Sequence, residues 1–111
     1  MFPPFLQTGG LDVSAYLINH LRIPGDVPND QLRSYLQQVE GIVTSYGGKW
    51  LANGEGTAVE GVWPGRVVLL EFPDLAAIDR WAASPEYQRV VSLRLENAIS
   101  DVVVVDGLPA A

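Results

Sequence analysis

The sequence contains no cysteine, one histidine and only seven lysine or arginine residues among its 111 positions. Without cysteine it can form no disulfide bond, thiolate nucleophile or cysteine-based zinc site. The seven basic residues are scattered and the formal net charge is −6, which repels phosphate backbones and anionic lipid surfaces. We therefore expect neither a nucleic-acid partner nor a membrane partner.

Long apolar runs are also missing. No stretch approaches the about 18 consecutive apolar residues that cross a bilayer, and the first residues, MFPPFLQTGGLD, lack the basic segment of a secretory signal. The composition, 48% hydrophobic and 18% charged, is typical of a globular domain. These features predict a cytoplasmic protein with one domain over residues 14–111. Residues 1–13, rich in proline and glycine, are expected to form an N-terminal arm.

Alternating and helical patterns predict the order of elements in the first half of that domain. Residues 14–22 alternate as a strand, with Leu17 and Asn19 on one face and His20 on the other. An amphipathic helix follows, capped by Asn29 or Asp30 and ended by two glycines at 47–48. A second strand is predicted over 49–52 and 58–60, interrupted at Asn-Gly-Glu-Gly because glycine within a strand is typical of a bulge.

The second half repeats the strand–helix–strand order. Residues 66–72 form an apolar strand, Asp74 caps a short helix, and Ser84-Pro85 starts another helix. The last strand is predicted over 101–106. The inner stripe of the last helix is expected to consist of five apolar or aromatic residues: Tyr87, Val90, Val91, Leu95 and Ala98.

This βαββαβ order predicts an α+β fold with a four-stranded antiparallel sheet in the order 4-1-3-2 and both helical segments on one face. The third and fourth strands are apolar on both faces, whereas the helices cover only one. A second copy of the chain, packed sheet against sheet, would bury the other face. We therefore expect at least a homodimer.

Several segments resemble one family. AYLI at 15–18, SYGGKWL at 45–51, VEGVWPGRVVLLEFP at 59–73, and SPEYQ at 84–88 ahead of DVVVVDGL are similar to the DUF1330 family of ferredoxin-like, dimeric α/β-barrel proteins. The resemblance implies the fold and the dimer but little chemistry. The wider superfamily includes cofactor-free monooxygenases, isomerases, cyclases, haem-handling enzymes and ligand-binding proteins.

One rim of the predicted sheet gathers side chains that suit acid–base chemistry. His20, paired with Asp101, could act as a general base, and Arg66 could hold an anionic oxygen. A lone histidine near a strand end is more often a surface or interface residue, and Arg66 and Asp101 are more often members of rim ion pairs. One histidine and scattered carboxylates predict no metal site and no bound cofactor, although His20 alone could ligate a haem.

Aromatic residues could line a pocket between the helices and the sheet. The predicted ligand-binding residues are Tyr16, Tyr35, Trp63 and Tyr87, with plain core packing as the alternative for the tyrosines and an interface anchor as the alternative for Trp63. Two functions remain open. One is a small cofactor-independent enzyme, of isomerase, cyclase or monooxygenase type, acting on an apolar or aromatic metabolite. The other is a non-catalytic homodimer that binds a small molecule.

Overall fold

The computed structural model describes residues 13–109. Four strands and three α-helices follow in chain order, with a 3-10 turn at Pro24–Asp26 after the first strand: β1 Ala15–Arg22, α1 Asp30–Ser45, β2 Lys49–Glu55, β3 Arg66–Phe72, α2 Leu75–Ala83, α3 Pro85–Leu95 and β4 Ile99–Asp106. The arm predicted for residues 1–13 lies, apart from Val13, outside the described residues. None of the helices within 13–109 is both long and apolar enough to span a bilayer.

The strands form one antiparallel sheet in the order β2-β3-β1-β4, which confirms the predicted 4-1-3-2 arrangement read from the other edge. β1 and β3 occupy the centre. The three helices pack on one face of this sheet, here called the inner face, and bury a continuous apolar core against it. The predicted ferredoxin-like α+β fold is therefore confirmed.

Short side chains start the helices as the sequence predicts. The side chains of Asn29, Asp74 and Ser84 accept hydrogen bonds from the backbone N–H groups three residues ahead, at 2.9, 2.8 and 3.1 Å. Each bond satisfies one of the N–H groups that the first helical turn leaves without an intrahelical partner. These caps fix where the helices leave the sheet, and so position the space beneath them.

The predicted interruption of the second strand is wrong. β2 runs without a break through Asn53 and Gly54, which pair with Val68 and Val67 of β3. Its irregularity falls earlier, between Trp50 and Ala52. Because pairing with β3 supplies ladder hydrogen bonds along the strand, the glycine does not break it, and residues 58–60 belong to the loop before β3 instead.

The two faces of the sheet differ in what covers them. On the inner face Ala15, Leu17, Asn19 and Leu21 of β1 are all buried, as the alternation predicts. The opposite face, here called the outer face, carries five aliphatic side chains that no other element of residues 13–109 covers: Ile18, Val67, Leu69, Val103 and Val105. Val103 alone keeps 57% of its surface exposed. In a single protomer the outer face thus carries an open aliphatic patch, bordered by polar side chains such as His20 and Glu71.

Candidate functional site

A cavity of about 640 Å3 lies between the inner face, helices α1 and α3, and the loop of residues 56–65. Its volume falls within the roughly 300–1,000 Å3 typical of small-molecule sites. Five of its lining residues are aromatic: Tyr35, Trp50, Trp63, Trp81 and Tyr87. The cavity therefore offers a ligand mainly flat, apolar walls.

A buried guanidinium adds charge to these walls. Arg94 on α3 keeps only 7% of its surface exposed, and its Nη2 donates a hydrogen bond to Tyr87 Oη at 3.1 Å. Tyr87 lies seven residues, about two helical turns, earlier on the same face of α3. From α1, the ring of Tyr35 lies beside the guanidinium, with 5.9 Å between the ring centroid and Arg94 Cζ, within the range of a cation–π contact.

Tyr35 stays protonated at ordinary pH. Burial raises the pKa of Tyr35 far above its usual value, and the neighbouring Tyr87 adds to the rise while Arg94 opposes it. Tyr35 is thus a neutral phenol that can donate a hydrogen bond. The cluster as a whole carries one positive charge, which belongs to Arg94.

Two further polar atoms on the cavity wall lack partners among residues 13–109. Asn19 Oδ1 on β1 and Trp50 Nε1 on β2 are both buried without a hydrogen bond. A buried polar group left unpaired costs about 1–3 kcal/mol, so such groups are uncommon in a protein's plain core. An acceptor and a donor on two lining residues are therefore left unpaired beside the cavity.

His20 lies on the outer face rather than in the cavity. Its Nε2–H donates to the backbone carbonyl of Pro64 at 2.5 Å, and its Nδ1 accepts from Arg22 Nη1 at 2.9 Å. Its ring stacks on Trp63, with centroids 4.0 Å apart. Because an arginine can only donate, this pattern requires the Nε2–H tautomer, and both ring nitrogens are already engaged.

The three residues predicted as catalytic are not brought together. Asp101 lies directly across from His20 in the sheet, yet its carboxylate accepts from Arg22 Nη2 at 2.5 Å. Arg22 thus stands between the two, and its hydrogen bond and charge hold the pKa of Asp101 below its usual value. Arg66 pairs with Leu21 and therefore points to the inner face, where it lines the cavity and reaches Asn53 Oδ1 at 3.4 Å.

Three of the four residues predicted to bind ligand line the cavity: Tyr35, Trp63 and Tyr87. Tyr16 does not, since the alternation of β1 puts it on the outer face. There its hydroxyl donates to Glu71 Oε2 at 3.2 Å, and the charge of that carboxylate raises the pKa of the phenol.

Sequence reasoning missed Arg94. It placed Asn19 on one face of the first strand but did not include it in the site. The inner stripe of α3 was expected to include Leu95, but Leu95 is 58% exposed and Arg94 is buried in its stead. Steps of three and four residues from Tyr87 through Val90 lead to Arg94, so helical spacing itself held the signal. A charged residue on that stripe is the feature that could have identified the site.

The described residues offer no metal site as an alternative to the cavity. Within residues 13–109, no three His, Asp or Glu side chains come close enough to hold a metal ion. The aromatic cavity with its guanidinium is therefore the main candidate site in the described part of the chain.

Solved structures with this fold include an enzyme and proteins of unknown function. The RPA0582 protein of unknown function from Rhodopseudomonas palustris superposes with a TM-score of 0.70 at 18% identity, over 89% of this chain and 85% of its own. SnoaB, a cofactor-independent oxygenase from Streptomyces nogalater, gives 0.63 at 10% identity, over 88% and 96%. A dimeric ferredoxin-like protein of unknown function from Jannaschia sp. CCS1 gives 0.57 at 16%, over 86% and 98%. At these identities the likeness establishes the fold alone.

No functionally curated protein matches the chain in sequence. The sequence profile of one family, described as a domain of unknown function (DUF1330), matches residues 14–108, which is nearly the whole described domain. That match agrees with the segments quoted above, from AYLI to DVVVVDGL. The chain belongs to the DUF1330 family.

Proposed function

We propose that this protein binds a small apolar or aromatic metabolite in the cavity between its helices and its sheet. The observation that carries the proposal is the cavity itself, about 640 Å3 in volume and lined by five aromatic side chains. A protein interior is normally packed with few voids larger than a water molecule. A space of this size, with unpaired polar atoms on Asn19 and Trp50, is suited to a guest.

Catalysis without a cofactor, of isomerase, cyclase or monooxygenase type, is the finer form of this proposal. Arg94 and its two tyrosines could stabilise negative charge that develops on a substrate oxygen, and such donors act strongly where water is excluded. One structural neighbour is a cofactor-independent oxygenase. Oxygen consumption with hydroxylated aromatic compounds is therefore the first activity to assay.

Binding without catalysis is favoured by the position of His20. Its ring nitrogens are engaged on the outer face, so the sole histidine of the chain offers no base to the cavity. The carboxylates that line the cavity belong to Asp26 and Glu55, and both residues are exposed at its mouth. Conversion of a bound compound, detected by mass spectrometry, would decide for the enzyme.

A second copy of the chain is proposed to cover the outer face. Its aliphatic side chains are spread over three strands, and leaving such a patch in water is unfavourable. A stable interface buries about 800 Å2 per partner, and packing sheet against sheet is the arrangement in which a second copy would bury this patch. One neighbour with this fold is itself dimeric, which agrees with the proposal.

Light scattering tests the dimer. Val103→Glu puts a charge on the aliphatic patch of the outer face, at its most exposed strand, and should shift the mass at micromolar concentration from dimer to monomer. Val59→Glu, at a loop position that is 95% exposed, is the matched control and should leave the mass unchanged. A wild-type protein that is folded and monomeric under these conditions would refute the proposed dimer.

Ligand binding is tested by filling the cavity. Leu36 on α1 is half-buried and lines the cavity, so Leu36→Trp should occupy ligand space without a large disturbance of the core. Calorimetric titration with 2-naphthamide and 2-naphthoate should show binding to wild type that weakens at least about tenfold in Leu36→Trp. Leu95→Trp, exposed on α3, is the control and should bind as wild type does. Binding of neither probe to wild type, or equal binding to both variants, would refute the cavity as the site.

A further inference from the structure

We propose that the cavity receives the carboxylate of its ligand at Arg94, so that the ligand is an aromatic or apolar monocarboxylic acid. The inference rests on the proposed function and names the chemical class of that ligand. Its physical basis is a buried cation for which the described chain supplies no counter-ion.

The lack of a counter-ion follows from the surroundings of Arg94. The ion pairs found among residues 13–109 are Arg22–Asp101 and Arg33–Asp30. No carboxylate of residues 13–109 forms an ion pair with Arg94, and the neighbours of its guanidinium are the hydroxyl of Tyr87 and the ring of Tyr35. A buried charge without a partner is costly, and proteins pair such groups or bind an ion there. An anionic group of the ligand would complete the pairing.

The positive charge of Arg94 favours a ligand that carries a single negative charge. Arg94 supplies one positive charge, and Tyr35 and Tyr87 are neutral donors or acceptors around it. Arg66 lines the cavity from the sheet, opposite α3, and its strand partner on β2 is the exposed Glu55. A dianion such as a phosphate monoester would bring an uncompensated charge into an apolar cavity. A carboxylate matches the guanidinium one to one.

The geometry around Arg94 also prepares it for a planar group. The bond to Tyr87 uses one of the five N–H donors of the guanidinium, and the ring of Tyr35 limits its movement from the side of α1. A guanidinium held in this way loses little freedom when it forms a two-bond contact with a carboxylate. The aromatic walls then hold the remainder of the acid.

Two isosteric probes separate this inference from the proposed function. Wild type should bind 2-naphthoate at least about tenfold more tightly than 2-naphthamide, and more tightly than 2-naphthyl phosphate. Equal or tighter binding of the amide would overturn the inference while leaving the aromatic cavity in place. Binding of neither would overturn the proposed function as well. Tighter binding of the phosphate would overturn the assignment of a monoanion.

Variants of Arg94 test the residue. Arg94→Gln should remove the preference for the acid, with both probes then binding within about threefold of each other. Arg89→Gln, an exposed arginine on the same helix, is the matched control and should keep the preference. If Arg94→Gln does not fold, Tyr87→Phe, which removes the bond holding the guanidinium, should reduce the preference. A full preference in Arg94→Gln, or in Tyr87→Phe when Arg94→Gln cannot be measured, would overturn the role of Arg94.

Discussion

The indole of Trp63 stacks on the imidazole of His20, with ring centroids 4.0 Å apart and planes inclined by 20°. Trp63 belongs to the loop that closes one end of the cavity, whereas His20 lies on the outer face of β1. The hydrogen bond from His20 Nε2 to the carbonyl of Pro64 fixes the same loop a second time. The histidine therefore links the outer face to the wall of the cavity.

Removal of this contact should loosen the loop. His20→Ala is expected to increase acrylamide quenching of the tryptophan fluorescence, because Trp63 loses its stacking partner. His20→Phe keeps a flat ring and should remain closer to wild type. Both differences should vanish in a Trp63→Phe background, which is the control. Unchanged quenching in His20→Ala would contradict the anchoring role.

The same variant tests the role that the sequence predicts for His20. A general base contributes about 100-fold or more to a rate, so its removal would lower turnover of an identified substrate by at least that factor. With both ring nitrogens engaged outside the cavity, we expect a smaller loss, caused by the displaced loop. A loss of about 100-fold in His20→Ala, with Trp63 still protected, would favour the catalytic role.

Asn19 should trade stability against binding. Asn19→Leu removes the unpaired acceptor from the inner face, so the free energy of unfolding is expected to rise by about 1 kcal/mol in urea denaturation. The affinity for 6-hydroxy-2-naphthoate, whose hydroxyl can donate to Oδ1, should fall in the same variant, whereas the affinity for 2-naphthoate, which carries no donor, should change less. Asn19→Asp, which buries a carboxylate, should lower both the free energy of unfolding and the affinity for the ligand. A stabilised variant with unchanged affinity would remove Asn19 from the site.

Asp101 should make the free energy of unfolding depend on pH in the acidic range. Arg22 lowers the pKa of this carboxyl in the folded chain, so the stabilisation is complete above the unfolded value of about 3.9 and is lost as the pH falls through the lower folded value. The Asp101→Asn variant should be less stable than wild type at pH 7, and the difference should disappear at low pH. Urea denaturation from pH 7 down to pH 2 measures it. Glu40→Gln, at an exposed carboxylate of α1, is the control and should leave the stability at pH 7 unchanged. A difference that persists unchanged to pH 2 would contradict the pairing.

The order of elements could be predicted because local chemistry determines it. Proline, glycine and capping side chains act on the residues beside them, so Asn29, Asp74 and Ser84 mark helix starts in the sequence as they do in the structure. The course of β2 could not be predicted in this way. Whether Gly54 ends a strand depends on its pairing with Val67, some thirteen residues ahead in the chain.

The site could be predicted only in part, for a similar reason. Alternation separates the faces of β1 correctly and places Tyr16 and His20 together, but it does not say which face holds the cavity. The opposition of His20 and Asp101 follows from the topology, whereas the bond from Arg22 to Asp101 depends on side-chain positions. Arg94 was missed because an arginine on a helix that packs against a sheet ordinarily lies on the side that faces water.

A crystal structure with 6-bromo-2-naphthoate tests the central claim most directly, because bromine reports its own position by anomalous scattering. We expect one strong bromine peak inside the cavity between α1, α3 and the sheet, with the carboxylate oxygens about 2.7–2.9 Å from the guanidinium nitrogens of Arg94. A bromine peak confined to the outer face, or a cavity closed by the protein's own side chains with Arg94 paired to one of its carboxylates, would contradict the claim.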